Sequence, residues 1–249
     1  MKISTLVLSF GVFFAAASVR ADTITLVADV WCPYNCGTKD SNPGILIEVA
    51  KYALGKAGHS VEYTNVPWAR AIEDSRVGKY SGIVGAYKED APDFVFPEKG
   101  IMPSSNDFFV KAGSTWKFES IASLASVSLG TIHEYSYGDE IDKYIEANHK
   151  DPTKIQMGAG DDALAKNIEK LLAGRIGAMI EDAAVMSYQL KQSGKTGQIV
   201  KAGTFGGDDV HVAFSPKNPN SQAYAKLMTD GLNELVINGE FEKIKAKYQ

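Results

Sequence analysis

The chain has only two cysteines, Cys32 and Cys36, within Trp31-Cys32-Pro33-Tyr34-Asn35-Cys36. Two thiols this close can form a disulfide, a redox pair or half of a metal site. The three-residue gap is wrong for a thioredoxin-type pair, and no other Cys or His lies nearby in sequence. A structural disulfide is therefore the expectation, with the redox and metal readings as alternatives. It would close a small loop and stabilise the chain by about 2 kcal/mol on the chain-entropy model. His133-Glu134 suggests a metal or acid–base pair, but the run lacks the second His of a zinc motif and reads as a surface loop. His59, His149 and His211 are dispersed and form no ligand-spaced set. There is no nucleophile elbow, Walker loop or dinucleotide fingerprint, and no cofactor is expected. What remains are side chains suited to holding a molecule. Tyr34, Trp68 and Tyr87 offer aromatic faces that can sandwich an apolar or cationic group. Trp68 can equally anchor the start of a helix in the core. Arg70 can bind a carboxylate or pair with Glu73 or Asp74.

The elements that must position these residues begin after a secretion leader. Lys2 gives a positive start, and an apolar run from Leu6 to Ala17 is too short to span a bilayer. Val19-Arg20-Ala21 supplies a cleavage site, so residues 1–21 read as a signal peptide and the mature chain as a soluble periplasmic protein. An oxidising compartment agrees with the expected disulfide. Cleavage leaves 228 of the 249 residues, enough for two lobes of ordinary domain size. Lys2 and Arg20 leave with the leader, taking the net charge from −4 to −6. An acidic chain without a basic patch has no footprint for nucleic acid or anionic lipid.

Alternation over residues 23–28 predicts a strand, and Leu46, Ala50, Leu54 and Ala57 fall at helical spacing before Gly58. A strand over 59–66, a short helix and a buried strand at 81–85 continue the rhythm. A second unit follows: strands near 127–129, 154–157 and 177–180, with helices near 136–147, 161–172 and 181–191. Residues 105–112 and 209–215 read as extended segments crossing between the units, and two helices end the chain. This βαβα pattern implies an α/β fold with mostly parallel sheets. Ligands bind such sheets beyond the C-terminal ends of the strands, in a cleft between the units.

Four blocks occur in order: PWARA with GKYSGIVGAYKEDAPDFVFPE, then VSLGTIHEYSYGDEID, then LLAGRIGAMIEDAAV, then AFSPKNPNSQAYAKLMTDGLNELVINGEFEKIKAKY. Together they resemble the family 3 solute-binding proteins of bacterial ABC transporters, over almost all of the mature chain. The resemblance implies the two-lobed type II periplasmic-binding fold. Lobe 1 would hold residues 22–108 and 211–249 and lobe 2 residues 109–210, with hinges near 105–112 and 208–215. It implies a monomer that closes over a small solute and docks on a membrane permease. Many amino-acid binders of the family carry a Ser/Thr-x-x-Glu-Arg stretch whose Arg grips the ligand carboxylate. Here Tyr87 stands at the Ser/Thr position and Asp90 at the Arg, leaving Lys88 or Arg70 as substitutes. Asp182 falls on the acidic residue that holds the ligand ammonium, and Tyr135 and Ser136 on the contact loop of the second lobe.

The resemblance thus keeps the cation-binding half of the amino-acid pattern and alters the anion-binding half, which favours an amine-bearing solute. Asp90 can alternatively cap the turn before Ala91-Pro92. The same scaffold also resembles periplasmic cyclohexadienyl dehydratases, and stand-alone proteins of this kind can present ligand to a membrane receptor. On the amine reading, Asp182→Asn weakens binding of an amine ligand sharply in a titration; unchanged affinity would remove Asp182 from the site.

Overall fold

The computed structural model describes residues 21–160 and 162–248. The expected leader lies outside the described residues, as does Asp161. Chain order in the first half is β1 (Thr23–Ala28), α1 (Ile45–Lys56), β2 (Ser60–Asn65), α2 (Trp68–Arg76), β3 (Gly82–Ala86), β4 (Met102–Pro103) and β5 (Asn106–Lys111). After a 3-10 turn at Ile121–Ser126 come β6 (Leu129–Ile132), α3 (Asp139–Asn148), β7 (Ile155–Gly158), α4 (Ala163–Leu172), β8 (Ala178–Asp182), α5 (Ala183–Gln192) and β9 (Ile199–Thr204). The chain then returns through β10 (Asp209–Phe214) to α6 (Ser221–Ile237) and α7 (Glu240–Ala246).

Two five-stranded sheets result, ordered β2-β1-β3-β10-β4 and β7-β6-β8-β5-β9. Each has three parallel strands and one long antiparallel strand delivered by a crossing: β10 beside β3, and β5 beside β8. The molecule is therefore an α/β protein of two lobes, as expected. Apolar side chains cover both faces of each sheet, which is why β3 and β8 are buried along almost their whole length.

The lobe boundary differs from the expectation at residue 108. β5 pairs along its length with β8 and β9, so residues 106–108 belong to the second sheet. The return strand joins the first sheet from Asp209, two residues before the expected boundary at 211. Phe108 and Phe109 read as extended wherever they pair; the partner strands decide the lobe. The crossings are thus short, Ser104-Ser105 outward and residues 205–208 back. They bond to each other: Ser104 N–H donates to Asp208 O at 2.9 Å and Phe205 N–H to Asn106 O at 2.8 Å. Gly207 allows this approach, since a Cβ there would lie 2.1 Å from Ser104 O. Strand β9, not anticipated from sequence, closes the outer edge beside β5.

Helix α1 lays Leu46, Ala50 and Leu54 on the core and packs against α6. The two helices touch at Gly231, where a Cβ would fall 2.3 Å from Ala53 Cβ. No helix among the described residues is long and apolar enough to cross a membrane. Gly231→Val should force α1 and α6 apart and cost about 1–3 kcal/mol by urea unfolding; an unchanged midpoint would show that the contact relaxes freely.

Candidate functional site

The site is built on the segments that follow β1, β3, β6 and β8, all at the C-terminal ends of parallel strands. After β1 the chain forms a tight loop in which Trp31 N–H donates to Asn35 O at 2.7 Å and Tyr34 N–H to Trp31 O at 3.0 Å. A disulfide between Cys32 and Cys36 closes this loop. It sets the Trp31 and Tyr34 rings 4.5 Å apart, and both reach the opposite lobe. Trp31 Nε1–H donates to Glu181 Oε1 at 2.9 Å, and Tyr34 OH to Asp182 Oδ2 at 3.2 Å. One more bond crosses the cleft: Tyr135 OH donates to Asp29 Oδ2. The lobes are therefore closed on one another.

Asp182 ends β8 and caps α5. Its Oδ1 accepts the N–H groups of Ala184 and Val185 at 2.7 and 2.9 Å, an N-cap arrangement. Its Oδ2 accepts from Ser104 Oγ at 2.6 Å and Ser105 N–H at 3.1 Å, besides Tyr34. Ser104 in turn lies 2.5 Å from Tyr87 OH. Asp182 thus ties the helix start to the outward crossing. Five protein donors occupy its oxygens, and a ligand ammonium would have to displace one of them.

Between the lobes lies a cavity of about 290 Å3, its open mouth included. Its walls are Trp31, Trp68, Tyr87 and Tyr135, with Asp29, Asp90 and Ser136 as the polar groups. The centre has room for about one water molecule, so a larger solute requires the lobes to part. A second cavity of about 280 Å3 shares Asp29, Trp31 and Tyr135 and adds Glu181. No Lys, Arg or His is among the described residues lining either.

Burial dominates the acid–base character of these carboxyls. Glu181 is almost fully buried, and desolvation pushes its pKa up to about 8. The Trp31 and Asp182 N–H bonds pull it back, while the charges of Asp182 and Asp29 push it further. Asp90 is raised to about 7, again chiefly by burial, against the Tyr87 and Ser136 backbone bonds that favour its ionised form. The Tyr87 N–H bond to Asp90, at 2.8 Å, is the turn cap considered from sequence; Asp90 makes that bond and also lines the cavity.

The structure brings Trp68, Tyr87, Asp90, Tyr135 and Ser136 to the cavity wall and Tyr34 and Asp182 to its floor network. Ser136 Oγ and Tyr137 N–H both donate to Asp142, which holds the β6–α3 loop in place. Arg70 and Lys88 are exposed and line neither cavity, so neither stands where a substitute carboxylate grip would be needed. Asp74, a suggested partner of Arg70, pairs with Lys79 at 2.6 Å instead. His133 and Glu134 face each other 3.5 Å apart on the surface. Sequence reasoning passed over Asp29, Trp31 and Ser104 as site residues, and weighed Glu181 only as a candidate acid on the dehydratase reading. The available signal was position: Asp29 and Trp31 directly follow β1, and Glu181 sits in the last turn of a buried strand.

The disulfide should support the Trp31 and Tyr34 contacts as well as the loop. Replacing both cysteines by serine is expected to cost about 2 kcal/mol in thermal unfolding and to shift small-angle scattering toward a more open form. A variant as compact as the parent would leave the disulfide only its loop-closing role.

No known family model matches the chain, and no curated protein matches it by sequence. Solved structures do match. A Streptococcus mutans structure from work on glutathione import via GshT and the cystine ABC importer TcyBC aligns at a TM-score of 0.76, with 19% identity over 92% of this chain and 95% of that one. A histidine kinase sensor domain with similarity to periplasmic binding proteins aligns at 0.73, with 17% identity over 91% and 95%. AbpA, an amino acid ABC transporter substrate-binding protein from Streptococcus pneumoniae bound to L-arginine, aligns at 0.70, with 17% identity over 91% and 96%. Two sheets of matching strand order, paired crossings and a cleft at the strand ends give this chain the two-lobed fold of the periplasmic binding proteins.

Proposed function

We propose that this chain is a periplasmic solute-binding protein that captures a small amine-bearing, amino-acid-like solute between its lobes and delivers it to the permease of an ABC importer. The observation that carries the ligand class is the charge of the cleft. Asp90 and Glu181 line its cavities, and among the described residues no cationic side chain lines them. Buried carboxylates require a partner of opposite charge, and aromatic walls favour a cation over an anion. The arginine-bound neighbour and the importer-linked neighbour agree in kind with a transported amino compound.

Binding would follow from lobe closure. A solute that contacts both lobes stabilises the closed form by the difference in its affinity for closed and open states. The cross-lobe bonds of Trp31, Tyr34 and Tyr135 already favour closure, so the solute must insert between side chains that otherwise meet. The sensor-domain neighbour favours one second reading, in which the closed lobes present ligand to a membrane receptor. A dehydratase reading fits less well, because the carboxylate grip that such chemistry needs has no residue in the cleft.

A thermal-shift screen of refolded, ligand-free protein tests the ligand class. Arginine, lysine, putrescine and choline should raise the melting temperature, whereas dicarboxylates and aromatic acids should not. A shift with anions alone would overturn the amine reading.

A further inference from the structure

Glu181 has an unusual position. It lies on β8 of the second lobe, almost fully buried, with Oε1 accepting from Trp31 and from the Asp182 N–H at 2.9 and 2.8 Å. Its Oε2 is buried and has no hydrogen-bond partner among the described residues. The residue lines the smaller interlobe cavity, with Asp29 of the opposite lobe in the same wall. A buried, unpartnered carboxyl oxygen is costly unless it carries a proton or meets a positive group.

We propose that Glu181 is an exchangeable counter-charge site: its carboxyl holds a proton in the empty closed form and gives up that proton when the ammonium group of a cationic solute enters the cavity beside it. The exchange balances. The O–H bond of the acid breaks, the proton leaves to solvent, and the incoming ammonium restores the enclosed charge. The inference rests on the amine reading for its second half but not for its first.

The charged groups facing Glu181 favour this behaviour, while the Trp31 and Asp182 N–H bonds to its Oε1 oppose it. Asp182 adjoins it on β8, Asp29 faces it from the end of β1, and Tyr135 and Tyr137 approach from the β6–α3 loop. The end of α4 contributes only Ala163 and Leu164 to the described cavity wall. Burial holds Glu181 at about 8, against 4.5 for an exposed carboxyl such as an open cleft would give. A group raised on closing binds more protons in the closed form. Its support for closure is complete below about pH 4.5 and is lost as pH rises through about 8. Asp90 is shifted in the same direction and adds a smaller dependence of its own.

Glu181→Gln separates these contributions. The amide oxygen can still accept from Trp31 and Asp182, so the fold is retained, but no proton can be lost. Small-angle scattering of the ligand-free full chain should show the parent opening as pH rises over that interval and the variant opening much less. An equal pH dependence in the two overturns the proposal. Calorimetric titration with L-arginine and putrescine, at about pH 7 in buffers of different ionisation enthalpy, should show proton release for the parent. The variant should bind on the order of tenfold or more weakly and release fewer protons. Equal affinity and equal release would also overturn it. If neither probe binds either protein, the amine reading fails, and the scattering comparison still decides whether Glu181 holds the proton.

Discussion

The closed form depends on bringing acidic side chains from two lobes together in a space that excludes water. Asp29, Asp90, Glu181 and Asp182 converge there, and each is handled differently. Asp182 is satisfied by geometry, through a helix start and a crossing segment that supply four donors and Tyr34 that supplies a fifth. Asp90 accepts the backbone N–H of Tyr87. Asp29 meets a tyrosine hydroxyl, and Glu181 meets an indole and keeps one oxygen bare. Burial raises the cost of charge, and hydrogen bonds to the ionised form recover only part of it. The cleft is closed, and on the proposed reading a cationic solute would meet the oxygen that Glu181 leaves bare.

The scaffold makes that convergence possible through a repeated plan. In both sheets the parallel strands point their C-terminal ends at the same gap, and a crossing strand locks each sheet from the side. The loop after β1 is the stiffest part of the wall because a disulfide spans it. Stiffness there places two aromatic donors in register with two adjacent carboxyls, Glu181 and Asp182. Fixing donors before contact removes the ordering cost that flexible side chains would bring to closure.

Much of this was legible in the sequence. Period-two and period-3.6 patterns located most strands and helices, and the alternation of the two implied parallel sheets. What periodicity does not carry is partnership. Phe108 and Phe109 form a strand in any arrangement, and only pairing with β8 and β9 assigns them to the second lobe. The site was legible in outline, because loops after parallel strands are where side chains converge. Roles within it were harder. Asp182 stood out as an acidic residue at a strand end, yet its oxygens serve a helix cap that depends on a distant crossing segment. Trp31 acquires its meaning only from Glu181, which lies far along the chain.

The paired crossings carry one further consequence. Because Ser104 and Asn106 bond to the returning residues 205–208, the two strands between the lobes behave as a single ribbon. Two independent tethers would let the lobes slide, twist and wander. A ribbon permits chiefly bending about one axis, so the open protein samples a narrow arc instead of a broad cloud of orientations. Every excursion along that arc returns Trp31 and Tyr34 to the same facing carboxyls, and the search that precedes capture is nearly one-dimensional.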